Sequence, residues 1–222
     1  AGATAGSTVR ISDSPLREVH FWSCHLSAYP YGPYDIRDTN GSDAARIAAG
    51  LAAESNSGRL SQVRNVLSRA ASQLAAADSV PVFLLGDFNC PSHLDWTPAT
   101  AAAGQHFGLV VDWPVTRATE NAGMIDAYRV IHPDPVIQPG DTWTPIDPVD
   151  VQDRIDMVHF KGAPLSVVDC RVFTTIAQDR WPSDHAGTIA EFSLAPVDVD
   201  ADGLHDAWEV ANFGAITTQD SS

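Results

Sequence analysis

The chain has 222 residues, 44% of them hydrophobic and 8% aromatic, which is enough for one substantial core with a small appendage. It carries 28 acidic against 13 basic residues, a net charge of −15, and Lys161 is its sole lysine. Such a surface repels polyanions at long range and argues against tight non-specific nucleic-acid binding, although a divalent metal can still bring positive charge to a phosphate locally. No apolar run is long enough to span a bilayer. The start, "AGATAGSTVR", has neither an initiator methionine nor the apolar stretch of a signal peptide, so the chain is expected to be an internal piece of a longer product. Cys24, Cys90 and Cys170 allow one disulfide or none.

Residues 8–26 read as a hairpin, "TVRIS" and "EVHFWSCHL" joined by the turn residues "DSPL". "AYPYGPYDIRDTNGSD" follows as a loop rich in Pro, Gly, Tyr and Asp. Leu60, Val63, Leu67, Ala70 and Leu74 recur at spacings of three and four, which predicts a helix over 58–78. Val80 to Leu85 is a short continuous apolar run, the pattern of a strand buried on both faces. "ATAAAGQHFGLVVDWP" reads as helix then loop, and "AGMIDAYRVIHPDP" as a short helix stopped by prolines. "DRIDMVHFKG" and "VVDCRVFTT" are strand-like, and "WPSDHAGTIAEFSL" is a loop before a last strand. Strands mixed with helices predict an α/β or α+β layered domain. A change of composition after Pro196 places a boundary there, giving a domain over 1–195 and an acidic segment over 196–222.

Four polar pieces stand at predicted strand edges. "GDFN" brings Asp87 and Asn89, "SCHL" brings His25, "DRID" brings Asp153, Arg154 and Asp156, and "WPSDHAG" brings Asp184 and His185. Each alone is equally an ordinary strand end, core histidine, surface ion pair or loop. Together they place metal- or proton-competent groups at four strand ends, where sites form in layered α/β folds.

Their order and spacing resemble the endonuclease/exonuclease/phosphatase superfamily, over roughly residues 8–194. The resemblance implies a four-layer α/β/β/α fold, a two-sheet β-sandwich flanked by helices. It also implies hydrolysis of a phosphoester or phosphodiester by activated water, with Mg²⁺ or Mn²⁺ as cofactor. In that reading Asp87 orients and deprotonates the water, and Asn89 holds the water or the phosphoryl oxygens. His185 donates to a non-bridging oxygen, Asp156 fixes its tautomer, and His25 contacts phosphate or assists the leaving group. Asp184, Asp87 and Asn89 are the metal-site candidates; Arg37, Arg129 and Arg154 are candidate phosphate contacts. The family's upstream Asn and metal-binding Glu motifs have no counterpart here, and Glu54 does not stand in an equivalent place. The chain therefore resembles a sandwich lacking its N-terminal portion, and it is expected to be weakly active or inactive where a longer parent is active. The substrate stays open among nucleic acid, lipid head group and small phosphoester, and the oligomeric state is not legible. "YPYGPY" is either a stacking loop for a base or sugar, or a structural Tyr/Pro turn.

In the acidic segment, "DVDADGLHDAWE" fits the spacing of a Ca²⁺ loop, D-x-D-x-D-G-x₅-E. Asp198, Asp200, Asp202, Asp206 and Glu209 would give side-chain oxygens, Leu204 a carbonyl, and Gly203 the sharp turn; a solvated acidic linker is the other reading. It resembles dockerin-like or thrombospondin type 3-like calcium repeats, which implies a secreted or cell-surface protein. Against the hydrolase stands a rival expectation: a non-catalytic, calcium-stabilised binding module that retains the scaffold.

Overall fold

The computed structural model describes residues 3–13, 16–174, 181–196, 198, 204 and 206–215. Five strands form one mixed sheet in the order β1-β2-β3-β5-β4, and two more form a separate hairpin sheet, β6-β7. The strands are β1 (Ala3–Asp13), β2 (Leu16–His25), β3 (Val82–Asp87), β4 (Ile125–Asp126), β5 (Asp156–Lys161), β6 (Leu165–Phe173) and β7 (Gly187–Leu194). The domain is α/β, with the helices packed mainly on one face of the five-stranded sheet and β6-β7 on the other.

β3 lies between β2 and β5, parallel to the first and antiparallel to the second. That central place explains its unbroken apolar sequence, because both of its faces are covered. Val82 and Leu84 meet the helical side beside Trp22, Cys24 and Met157. Phe83 and Leu85 meet the hairpin side, where Phe192 of β7 sets its edge against Phe83 (4.9 Å, 76°) and packs on Phe160 (5.1 Å). Gly86 ends the run at φ +131, and a Cβ there would lie 2.0 Å from the Cys24 carbonyl oxygen. The glycine of "GDFN" is thus what lets β2 and β3 stay paired up to their last residues.

The helices depart from expectation in two places. The Pro/Gly/Tyr stretch is not all loop, since it contains α1 (Gly32–Asp38), entered through Pro33. It is followed by α2 (Asp43–Ser57), whose Ser42 side chain accepts from the Ala45 N–H and whose end is Gly58 in the left-handed conformation. The single helix expected over 58–78 is two, α3 (Arg59–Arg69) and α4 (Ala71–Ala75), broken at Ala70. Val63, Ala70 and Leu74 are nevertheless buried, as the spacing requires. Beyond them come α5 (Pro98–Ala102), α6 (Pro114–Asn121), α7 (Ala127–Ile131) and α8 (Asp206–Phe213). Gly214 closes α8 at φ +77 and donates its N–H to the Val210 carbonyl (3.0 Å).

All three cysteines are free and buried. Of the expected Ca²⁺ ligands, Asp200 and Asp202 lie outside the described residues. Asp206 opens α8 and Glu209 is buried within it. No helix among the described residues is long and apolar enough to cross a membrane.

Candidate active site

Strand register brings three of the expected side chains into one row. His25 of β2 pairs with Asp87 of β3, and Asp87 pairs with Asp156 of β5. Because β2 and β3 run parallel and β5 runs against them, the row lies at one end of the sheet's inner strands. His185 arrives from the loop before β7, its backbone bridged to Trp143. Its Nδ1 lies 2.7 Å from Asp156 Oδ2. Asp87, Asp156 and His185 each offer a ligand atom within 4.8 Å of the others. The row opens into a cleft of about 550 Å³, also lined by Asn89, Asp184, Tyr29, Tyr34 and Trp143. Five of the six residues expected to converge therefore do so tightly. Asp184 lines the same cleft from an exposed position, with its carbonyl accepting from Thr144 Oγ1 (2.5 Å).

The charges in the row are poorly matched. Burial, and then the neighbouring Asp156 carboxylate, push the Asp87 pKa up to about 6. His185 is shifted upward, first by its hydrogen bond to Asp156, so its protonated form is favoured. His25 Nε2 lies 3.5 Å from Asp87 Oδ2 on a largely exposed side chain. Among the described residues no lysine or arginine lines the cleft. Two adjacent carboxylates with no lysine or arginine beside them among the described residues offer oxygen donors that fit a divalent ion, with His185 next to them as a hydrogen-bond donor.

Asn89 corrects one expectation. It sits at φ 48, in the left-handed region, and its backbone N–H donates to Asp87 Oδ1 (2.7 Å). Its two amide hydrogens go to Asp87 Oδ2 (2.8 Å) and the Leu26 carbonyl (3.0 Å). With its donors spent in this way, Asn89 positions Asp87 and cannot donate to phosphoryl oxygens.

The arginines correct another. Arg154 is buried and bridges Asp95 (3.0 Å) and Asp126 (2.8 Å). Arg129 is buried on the other side of Asp95 (2.6 Å) and donates to the carbonyls of His132, Gln138 and Pro139. Both brace the loops behind the sheet, so neither is a phosphate contact. Arg37 is paired with Asp38 and Asp150 and does not line the cleft. Asp153 of "DRID" is likewise buried, accepting from the Tyr31 hydroxyl (2.7 Å) and Trp96 Nε1 (2.9 Å). Glu54 lies away from the row, locked to Arg59, which also donates to the carbonyls of Ser27, Ala28 and Pro30. That pair anchors the loop carrying Tyr29 and Tyr31. Sequence reasoning missed Asp95 and Arg59 as organisers of the site; the only local signal was a charge flanked by apolar residues, as in "HLDW".

The α/β scaffold thus delivers two carboxylates and an imidazole to one polar cleft, with atoms that could hold a cation. The chain belongs to the Endonuclease/Exonuclease/phosphatase family, whose profile matches residues 12–185. It is 32% identical over 195 residues to the uncharacterized protein F14F9.5 of Caenorhabditis elegans, covering 79% of this chain and 60% of that one. The catalytic domain of Xenopus laevis APE2 superposes with a TM-score of 0.47 at 14% identity, covering 87% of this chain and 56% of that one. A humanized TDP2 of D. rerio superposes at 0.48 with 16% identity, covering 86% and 60% respectively. The chain thus spans about 60% of the length of the curated relative it matches.

Proposed function

We propose that this cleft hydrolyses a phosphoester or phosphodiester by activated water, with a divalent metal held by its acidic residues. The observation that carries this reading is the register-matched row: two carboxylates within ligand distance of each other and of His185, with no lysine or arginine beside them among the described residues. Family membership supports phosphoester hydrolysis in general.

Asp87, with Asp156 close by and Asp184 on the cleft wall, would hold Mg²⁺ or Mn²⁺, which when bound offsets the charge of the phosphate and the leaving oxygen. Asp87 is held by three hydrogen bonds or ion contacts, from the Asn89 N–H, the Asn89 amide and His25, and takes the proton of the attacking water. Protonated His185, oriented by Asp156, donates to an oxygen whose charge grows in the transition state. His25, exposed at the rim, is placed to meet the phosphate or the leaving group.

The test is hydrolysis of bis(p-nitrophenyl) phosphate by this chain and by a longer parent, in Mg²⁺, Mn²⁺ and EDTA. Metal-dependent turnover that Asp87→Asn lowers by about 10²-fold or more supports the reading; turnover that survives EDTA, or is undiminished in Asp87→Asn, overturns it. We also propose that residues 198–209 bind Ca²⁺ as a separate C-terminal module, on the strength of their D-x-D-x-D-G-x₅-E spacing.

A further inference from the structure

Thr142 is fully buried in the connection between α7 and β5, and its bonds fan out toward the row from behind. Its hydroxyl accepts the backbone N–H groups of both Ile155 (3.0 Å) and Asp156 (3.0 Å), where β5 begins. Its carbonyl accepts the N–H of Ala186 (2.8 Å), the residue after His185. One side chain and one peptide group thus bond to the strand that carries Asp156 and to the loop that carries His185. The residue is itself fixed, since its N–H and that of Trp143 both donate to the Asp153 carbonyl (3.0 Å each), and Asp153 donates back to the Trp143 carbonyl (2.8 Å). Two residues on, the Thr144 hydroxyl holds the Asp184 carbonyl. Residues 142–144 therefore form a brace between β5 and the loop at 184–186.

We infer that Thr142 is a positioning residue, whose hydroxyl and carbonyl hold Asp156 and His185 at the separation their hydrogen bond requires. The inference rests on the hydrolytic reading of the cleft for its effect on turnover, and on geometry alone for its effect on His185. Sheet pairing fixes Asp156 against Asp87 but does not reach His185, which lies outside the named strands and bridges only to Trp143. Within its own loop, His185 donates its N–H to Ser183 Oγ (3.0 Å) and accepts at its carbonyl from Trp181 Nε1 (2.6 Å). Those local bonds shape the loop without setting where it stands relative to β5. Thr188 adds a single, longer tie to the Asp156 carbonyl (3.2 Å). The contact between His185 Nδ1 and Asp156 Oδ2 is 2.7 Å, and a displacement of about 1 Å would end it as a hydrogen bond. With the contact intact, the carboxylate keeps the proton of the neutral imidazole on Nδ1. A threonine that merely filled space would be replaced by valine without consequence for that proton. Thr142→Val keeps the shape but leaves two N–H groups at the start of β5 without their acceptor, so the strand end must move to satisfy them.

Long-range proton–nitrogen correlation spectra of the full chain with labelled histidines, recorded at about pH 9 where imidazoles are neutral, read the His185 tautomer. Loss of its signals in His185→Gln assigns them. The wild type and Thr142→Ser, which keeps the hydroxyl, should show the Nδ1–H form. Thr142→Val should shift His185 toward Nε2–H, the form free histidine prefers in water, and Thr142→Cys, a weaker acceptor of similar size, should fall between. Thr116→Val is the control. Thr116 is equally buried and its hydroxyl also accepts a backbone N–H, from His93 (3.0 Å), but it does not line the cleft. That variant should lower the urea midpoint and leave the His185 tautomer as it was. An Nε2–H wild type overturns the inference, as does a Thr116→Val that moves the tautomer as far as Thr142→Val. So does the wild-type tautomer in Thr142→Val or, where that variant does not fold, in Thr142→Cys. Turnover of bis(p-nitrophenyl) phosphate in Mn²⁺ separates this from the hydrolase reading. Thr142→Val should lower kcat by up to about 10²-fold with KM little changed, and Thr142→Ser should restore it. A shifted tautomer with kcat unchanged also overturns the inference. No metal-dependent turnover by the wild type sinks the hydrolase reading instead, and the tautomers still decide the brace.

Discussion

Behind the sheet, every buried acid of the arginine network meets a guanidinium: Glu54 meets Arg59, Asp95 meets Arg129 and Arg154, and Asp126 meets Arg154. At the strand ends, Asp87 and Asp156 face each other with only imidazoles and an amide for company among the described residues. The residue types are the same and the electrostatic design is opposite. Paired acids tie loops together and are finished interactions. Acids left facing one another leave a charge deficit that an outside cation can fill, and that deficit separates the strand-end row from the arginine network.

The comparison breaks most visibly if a paired arginine proves dispensable. Arg59→Ala strands Glu54 in the interior and frees the loop carrying Tyr29, and Arg154→Ala strands Asp126 and leaves Asp95 to Arg129 alone. Each is expected to cost about 3–5 kcal/mol, read as a lower urea midpoint at constant m.

The unpaired acids should behave the other way. The Asp87 pKa rises from 3.8 to about 6 on folding, so the folded state holds that proton more tightly and loses stability as pH climbs through this window. At neutral pH, Asp87→Asn removes that penalty and is expected to leave urea stability unchanged or raised by about 1 kcal/mol, while hydrolysis falls about 10²–10⁴-fold. A stability loss as large as that of Arg154→Ala would mean that the row is scaffold too.

The same shift makes protons compete with metal. Mn²⁺ affinity at the cleft should fall as pH drops through about 6, and Asp156→Asn should move that midpoint down, because it removes the second cause of the shift. The smallest effect is expected at the C-terminal segment. Asp202→Asn should weaken Ca²⁺ binding measured by calorimetry and leave the urea stability of the sheet domain within about 0.5 kcal/mol.

Much of this was legible in residue order, and the reason is local. The apolar run ending in "GDFN" names a central strand and its polar end, because burial on both faces writes itself into consecutive residues. The convergence of His25, Asp87, Asp156 and His185 was legible only through resemblance, since nothing local to "SCHL" announces that its histidine will pair in register with Asp87. The helix at 32–38 was hidden by Pro, Gly and Tyr; it buries Gly32, Pro33 and Ile36 against the core, a tertiary contact that propensity does not carry. The roles of Arg129 and Arg154 were misread for the same reason. Their common partner Asp95 is 34 and 59 residues away, and a charge looks exposed until its partner is known.

The central claim, that the strand-end acids form a cation site, is met most directly by Mn²⁺ binding followed by electron paramagnetic resonance, with Ca²⁺ present to occupy the C-terminal segment. The account predicts a bound Mn²⁺ that is lost in Asp87→Asn and weakened in Asp156→Asn, with the fold intact in both. Mn²⁺ bound equally well by the wild type and the Asp87→Asn/Asp156→Asn double variant would contradict it.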